Sequence, residues 1–268
     1  MDLNLTDKVA FVTGASKGIG RDVAAQLAAE GCDVVITARG QEDLEKTAAD
    51  LSAQTGRKVV AKAGDMSQAD DVDRCVRAAL DEFGRIDILV TCAGSSPGGL
   101  LEELTEEQWM QSLNLKFMGY VRTVRSVVPH MVERGSGSIV LVVGNDGLKP
   151  SYWEMTAGAA NAADLNFASS IADQYGPQGV RVNTVNPGPV DTDRWDGLEK
   201  AFARDMGVDQ AEARRRAEDS IPFGRITRPD EVAALVTFLA SDIAASVHGA
   251  HVPIDGAQRK ALMERSRG

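Results

Sequence analysis

Cysteine and histidine are both scarce in this chain, with three of each and no Cys-x-x-Cys spacing. Cys32, Cys75 and Cys92 stand far apart, and His130, His248 and His251 form no ligand set with them. Disulfides, structural zinc and any other metal site are therefore not expected. Positive charge is also in deficit: 29 Lys and Arg face 39 Asp and Glu, for a formal net charge of -10. That balance argues against a nucleic-acid or anionic-membrane partner, since phosphate binding needs clustered basic surface. No apolar run approaches membrane-spanning length, and the polar stretch Met1 to Lys8 lacks the apolar segment of a signal peptide, so a cytoplasmic location is expected. What the chain does have is length and apolar content, 268 residues at 43% hydrophobic, enough to bury a substantial core and exclude a disordered or fibrous reading.

Short runs rich in β-branched residues alternate with longer amphipathic stretches, the pattern of successive βαβ units around a parallel sheet. The runs predict seven strands, at Val9 to Thr13, Asp33 to Thr37, Val59 to Ala63, Ile86 to Thr91, Ser138 to Val143, Val180 to Val185 and His251 to Ile254. Helices are predicted near Gly18 to Glu30, Glu42 to Gln54, Gln68 to Phe83, Glu106 to Glu133, Thr156 to Tyr175 and Pro229 to Ser241. No linker divides residues 1–268, so a single domain is expected. The charged segment Leu198 to Asp219 reads as a helical insertion with Arg214, Arg215 and Arg216 solvated. Its place after a strand's carboxyl end suggests a substrate lid spanning about 190–220.

The stretch Thr13-Gly14-Ala15-Ser16-Lys17-Gly18-Ile19-Gly20 follows an apolar strand and opens a helix. In that context glycines let backbone amides approach a pyrophosphate at the positive end of a helix. The expectation is a Rossmann-type α/β fold: a doubly wound, parallel, seven-stranded sheet with helices on both faces, holding a dinucleotide.

From Leu5 to about Ala257 the chain resembles the short-chain dehydrogenase/reductase family. Cys92-Ala93-Gly94 resembles its Asn-Ala-Gly motif, Asp65 its adenine-contacting aspartate and Asn114 its helix asparagine. Arg181-Val182-Asn183, Pro187-Gly188 with Thr192, Ile221 to Arg225, Pro229 to Ala233 and Asp255-Gly256 continue the pattern. The resemblance implies a cofactor site of Gly14, Ser16, Lys17, Gly18, Ile19, Gly20, Arg39, Asp65, Met66, Cys92, Ala93, Gly94, Pro187, Gly188 and Thr192, and assembly as a homotetramer. An acid ending the second strand would hold an adenosine ribose diol and repel a 2'-phosphate. Ala38 stands there instead, followed by Arg39, with Lys17 inside the glycine turn, so NADP(H) is expected over NAD(H).

The family's chemistry, as the resemblance implies it, uses a serine, a tyrosine thirteen residues later and a lysine four further on that lowers the tyrosine pKa. Aligned forward from Gly137-Ser138-Ile139 and backward from Tyr175-Gly176-Pro177, those positions hold Gly144, Ala157 and Asn161. Asn114, Tyr152, Asp146 and Glu154 are the candidate catalytic residues, with Asn145 and Lys149 on the same segment. Tyr152 would need a five-residue shift to serve as the family tyrosine, while a carboxyl neutralised by burial at Asp146 or Glu154 could act as acid or base. Ser95, Ser96, Asp191, Asp193, Arg194 and Trp195 are open between turn or surface positions and substrate contacts. Three readings stay open: an NADP(H)-dependent oxidoreductase of small carbonyls and alcohols with a non-standard mechanism, a catalytically inactive nucleotide-binding partner of an active relative, and a redox-neutral lyase or isomerase.

Overall fold

The computed structural model describes residues 2–264. Its strands are β1 (Val9–Thr13), β2 (Asp33–Ala38), β3 (Val59–Ala63), β4 (Ile88–Thr91), β5 (Gly137–Val142), β6 (Val180–Pro187) and β7 (His251–Ile254). All pair in parallel within one seven-stranded sheet of order β3-β2-β1-β4-β5-β6-β7. The helices are α1 (Gly18–Ala29), α2 (Gln41–Thr55), α3 (Ala69–Phe83), α4 (Glu106–Ser112), α5 (Met118–Glu133), α6 (Met155–Tyr175), α7 (Asp193–Met206), α8 (Gln210–Asp219), α9 (Pro229–Ala240) and α10 (Lys260–Glu264).

Strand alternation sends side chains to two cores. Ala10 and Val12 of β1 join Val23, Leu27, Leu44 and Val236 beneath α1, α2 and α9, while Phe11 joins Val76, Val124, Val127 and Leu165 beneath α3, α5 and α6. The doubly wound arrangement read from the sequence is thus present, with strand and helix ends shifted by a residue or two.

One helix is corrected. The apolar pattern from Glu106 to Glu133 predicts a continuous helix, but Leu113–Phe117 forms a π-helical turn between α4 and α5. There the Asn114 carbonyl accepts from Arg122 Nη1 at 3.0 Å and its Oδ1 from Arg122 Nη2 at 2.7 Å. Such turns insert a residue, re-aim the side chains around them, and recur at functional sites.

The insertion after β6 is two helices, because Gly207 adopts φ 64 at the end of α7 and breaks the run. Phe202, Ala203, Ala213 and Ala217 of α7 and α8 pack with Trp153 and Trp195 in a third apolar cluster. The arginine triplet is paired more than the solvated reading allowed: Arg215 and Arg216 both reach Glu212, and Arg214 reaches Asp191 at 3.2 Å and Glu218 at 3.3 Å.

At the glycine turn, a Cβ on Gly20 would lie 2.4 Å from the Gly14 carbonyl oxygen. Gly20→Ala is expected to cost about 1–3 kcal/mol through overpacking against backbone, read as a lowered urea midpoint at unchanged slope.

Candidate functional site

In a doubly wound sheet, ligands bind where neighbouring strands send their connections to opposite faces. Here that point lies between β1 and β4. Thr13 Oγ1 accepts from the amides of Cys92 and Ala93 at 3.1 and 3.2 Å, and Gly14 lies so close that a Cβ would meet Ala93 Cα at 2.8 Å. This tight seam forms the floor of a groove of about 650 Å³. From the first turn it is lined by Gly14, Ser16, Lys17, Gly18, Ile19 and Gly20; from the ends of β2 and β3 by Ala38, Arg39, Asp65 and Met66; and from the far side by Cys92, Ala93, Gly94 and Thr192. Asp65 Oδ1 accepts from the Ser67 amide at 2.9 Å and its own amide donates to Asp71 Oδ2 at 2.9 Å, which fixes the loop after β3. Lys17 and Arg39 are exposed at the groove's edge, Lys17 within 3.7 Å of an equally exposed Asp193. Burial pushes the Cys92 thiol up to about 12, so it holds its proton at neutral pH.

Ile19, Cys92, Gly94, Thr192 and Arg194 also line a second cavity of about 170 Å³, so groove and cavity are continuous. Pro187 and Gly188 form part of its wall, with Lys116, Tyr120, Gly144, Asp146, Glu154 and Ala157 around them. Asp146 Oδ1 accepts from Asn161 Nδ2 at 2.9 Å, whereas its Oδ2 is buried without a hydrogen-bond partner among the described residues. Glu154 is ion-paired with Lys260 of α10.

The match to the short chain dehydrogenase family model runs over residues 8–202. The chain belongs to this family. It is 31% identical over 256 residues to the 3-oxoacyl-[acyl-carrier-protein] reductase FabG of Chlamydia muridarum, covering 96% of this chain and 99% of that one. The crystal structure of L-sorbose reductase from Gluconobacter frateurii, complexed with NADPH and L-sorbose, superposes with a TM-score of 0.90 at 32% identity, covering 96% of this chain and 98% of that one. A variant of actinorhodin polyketide ketoreductase with NADPH also superposes with a TM-score of 0.90, at 29% identity, covering 97% of this chain and 98% of that one.

Within this short chain dehydrogenase, the four candidates from the sequence are separated. Asp146 and Glu154 face the cavity, but Tyr152 lies on the outer side, 45% exposed, with its hydroxyl 3.4 Å from Met206 Sδ. Asn114 is engaged by Arg122 and does not line the cavity. Asn145 and Lys149 are tied to the segment after β7. Asn145 Nδ2 donates to Asp255 Oδ2 and Gln258 Oε1, both at 2.9 Å, and Lys149 pairs with Asp255. Burial alone would raise the Asp255 carboxyl, but the hydrogen bonds from Lys149 and Asn145 and the Lys149 charge hold it below the usual carboxylate range. Ser96 is buried, its hydroxyl 2.6 Å from Ser112 Oγ, which places it in the framework; Ser95 accepts from Arg194 Nη1 at 3.2 Å at the mouth of the cavity. Trp195 is buried in the α7–α8 cluster and also lines the cavity, and Trp153 donates to Asp205 Oδ2 at 2.9 Å, tying the loop before α6 to α7.

Sequence reasoning passed over two groups that line the cavity, Lys116 and Tyr120, and a third that α6 buries away from it, Asp164. Asp164 carried a legible signal, an acid on the stripe Ala157, Ala160, Asn161, Asp164, Ala168 that α6 buries. Lys116 carried none, because the π turn that aims it inward has no mark in the apolar periodicity.

Proposed function

We propose that the chain is an NADP(H)-dependent oxidoreductase that interconverts a small carbonyl compound and its alcohol without the serine, tyrosine and lysine set of its family. The observation that carries this reading is the continuity of the glycine-floored groove with a polar, carboxylate- and lysine-lined cavity. The L-sorbose reductase and polyketide ketoreductase structures, each with NADPH, support a nicotinamide cofactor.

The groove's residues fit that cofactor. Lys17 caps α1 without a side-chain acceptor, which leaves the first-turn amides for an anion. Ala38 and Arg39 at the end of β2 offer a 2'-phosphate a cation and no carboxylate. Bound there, NADPH supplies a hydride. The chain's own part is to hold the carbonyl in the cavity, exclude bulk water and provide the proton. The alignment that sets Gly144, Ala157 and Asn161 at the family's catalytic positions is supported by local packing: a Cβ on Gly144 would lie 2.3 Å from Asp146 Oδ1 and 2.7 Å from Asn161 Nδ2. The Asp146 to Asn161 hydrogen bond therefore occupies the space a serine side chain would take. The α7–α8 pair, joined to the cavity mouth by Arg194, fits the role of substrate lid.

Calorimetric titration with NADPH and separately with NADH, at modest ionic strength, tests the cofactor reading. NADPH is expected to bind the more tightly, and Arg39→Ala to weaken NADPH by about 10- to 100-fold through loss of charge-assisted phosphate bonds while leaving NADH unchanged. Equal affinities, or no binding of either nucleotide, would sink it.

A further inference from the structure

Two ionisable groups, one lining the crevice and one buried on α6, remain without a role. Lys116 lies inside the π turn Leu113–Phe117, and its stem crosses Gly94, where a Cβ would sit 3.2–3.5 Å from its Cγ, Cδ and Cε. It lines the cavity and makes no hydrogen bond or ion pair among the described residues. Asp164 is 0% exposed on α6, and both its oxygens lack hydrogen-bond partners among the described residues. A pair of a buried Asp164 and a half-buried Lys116 kept for stability would close into hydrogen-bonded contact, since only that geometry offsets desolvation; this one has not closed. The charged groups that act electrostatically on Lys116 are Asp146 and Glu154 from the β5 to α6 connection and Arg194 from α7, all in the same cavity lining, and Asp164 from α6. Burial lowers the lysine's affinity for its proton and Arg194 adds to that, while the three carboxylates oppose it. Tyr120, the phenol in the same wall, is no rival: its hydroxyl donates to the Val142 carbonyl at 2.8 Å, and burial raises its pKa well above the ordinary value.

We propose that Lys116 is the proton-transfer group of this crevice, with Asp164 as the positioning residue that holds its charge there. The proposal rests on the reading of the site as one that reduces a carbonyl. An ammonium N–H bond breaks as an O–H bond forms at the substrate oxygen. The electron pair for the carbonyl carbon arrives with the hydride of NADPH, which leaves oxidised, and the neutral amine regains its proton from water.

Competitive acetylation of the full chain with trace acetic anhydride across alkaline and neutral pH, resolved by peptide mass spectrometry, gives each lysine its own titration midpoint. Lys116 is expected to reach half its plateau labelling at lower pH than exposed Lys17. Asp164→Asn is expected to move the Lys116 midpoint lower still and leave Lys17 in place. A Lys116 midpoint equal to that of Lys17, a midpoint untouched by Asp164→Asn, or no labelling of Lys116 at any pH overturns the proposal. NADPH calorimetry on the same preparation keeps the two failures apart: a low Lys116 midpoint with no nucleotide binding removes the redox reading, whereas binding with an ordinary midpoint removes Lys116.

Discussion

Lys116→Arg and Lys116→Gln are both expected to slow NADPH-dependent reduction of ethyl acetoacetate by about 10²- to 10⁴-fold, the usual contribution of a positioned acid, with little change in NADPH affinity. The assay follows loss of nicotinamide absorbance. The arginine variant separates two roles that alanine would confound. A guanidinium keeps the charge but does not release a proton in the accessible range. If Lys116 acted only by placing positive charge near the substrate oxygen, Lys116→Arg would retain most of the rate. As the proton donor, its replacement by arginine fails as completely as its replacement by glutamine. The pH profile adds a second discriminator. The wild-type rate falls as pH rises and the ammonium is lost, and because burial lowers Lys116 this limb begins below the range of a free lysine. Neither variant retains that limb. Full activity in Lys116→Arg would return the proton to Asp146 or Glu154, the two carboxyl groups in the same wall.

The fold was legible almost throughout because its signals are local and repeated. The central strands are short apolar runs buried on both faces, and the helices present apolar stripes, as Val23, Ala24, Leu27 and Ala28 do on α1. The nucleotide groove was legible for a related reason: Gly14 and Gly20 are required by close backbone approach and Gly18 is favoured by its φ of +57, so the turn fixes their identity before any ligand is considered. The crevice was harder to read because its polar groups come from four separate elements and their contacts are non-local. Asn145 and Lys149 looked available beside Asp146, yet Asp255, more than a hundred residues away in sequence, binds both. Tyr152 and Trp153 are adjacent in sequence, but the loop before α6 turns Trp153 into the α7–α8 cluster and Tyr152 outward to Met206. Lys116 depends on a single inserted residue in one helix, which shifts its direction without altering the apolar pattern around it.

Asp164→Leu is expected to stabilise the protein at pH 8 relative to pH 5. Burial, opposed by the nearby Lys116, raises the Asp164 carboxyl from its ordinary 3.8 to about 8 in the folded chain. Between those values the folded state holds a proton that the unfolded state has released. Stability from this group is therefore present in acid, falls as pH rises from about 4 to about 8, and is level above that, with a total change on the order of a few kcal/mol. Leucine at 164 removes the titration and extends the apolar face that Leu165, Ala168 and Ile171 already form. The measurement is urea unfolding of wild type and variant at both pH values; the difference between the two proteins cancels the titrations they share. It should widen in favour of the variant as pH rises. A difference independent of pH would mean that Asp164 has the same charge at pH 5 and pH 8, and that burial does not raise its carboxyl into that range. A gain in stability paired with a lowered Lys116 labelling midpoint would instead identify Asp164 as a destabilising carboxyl retained for the proton chemistry of its neighbour, since local rules of burial are most often broken where a site needs them broken.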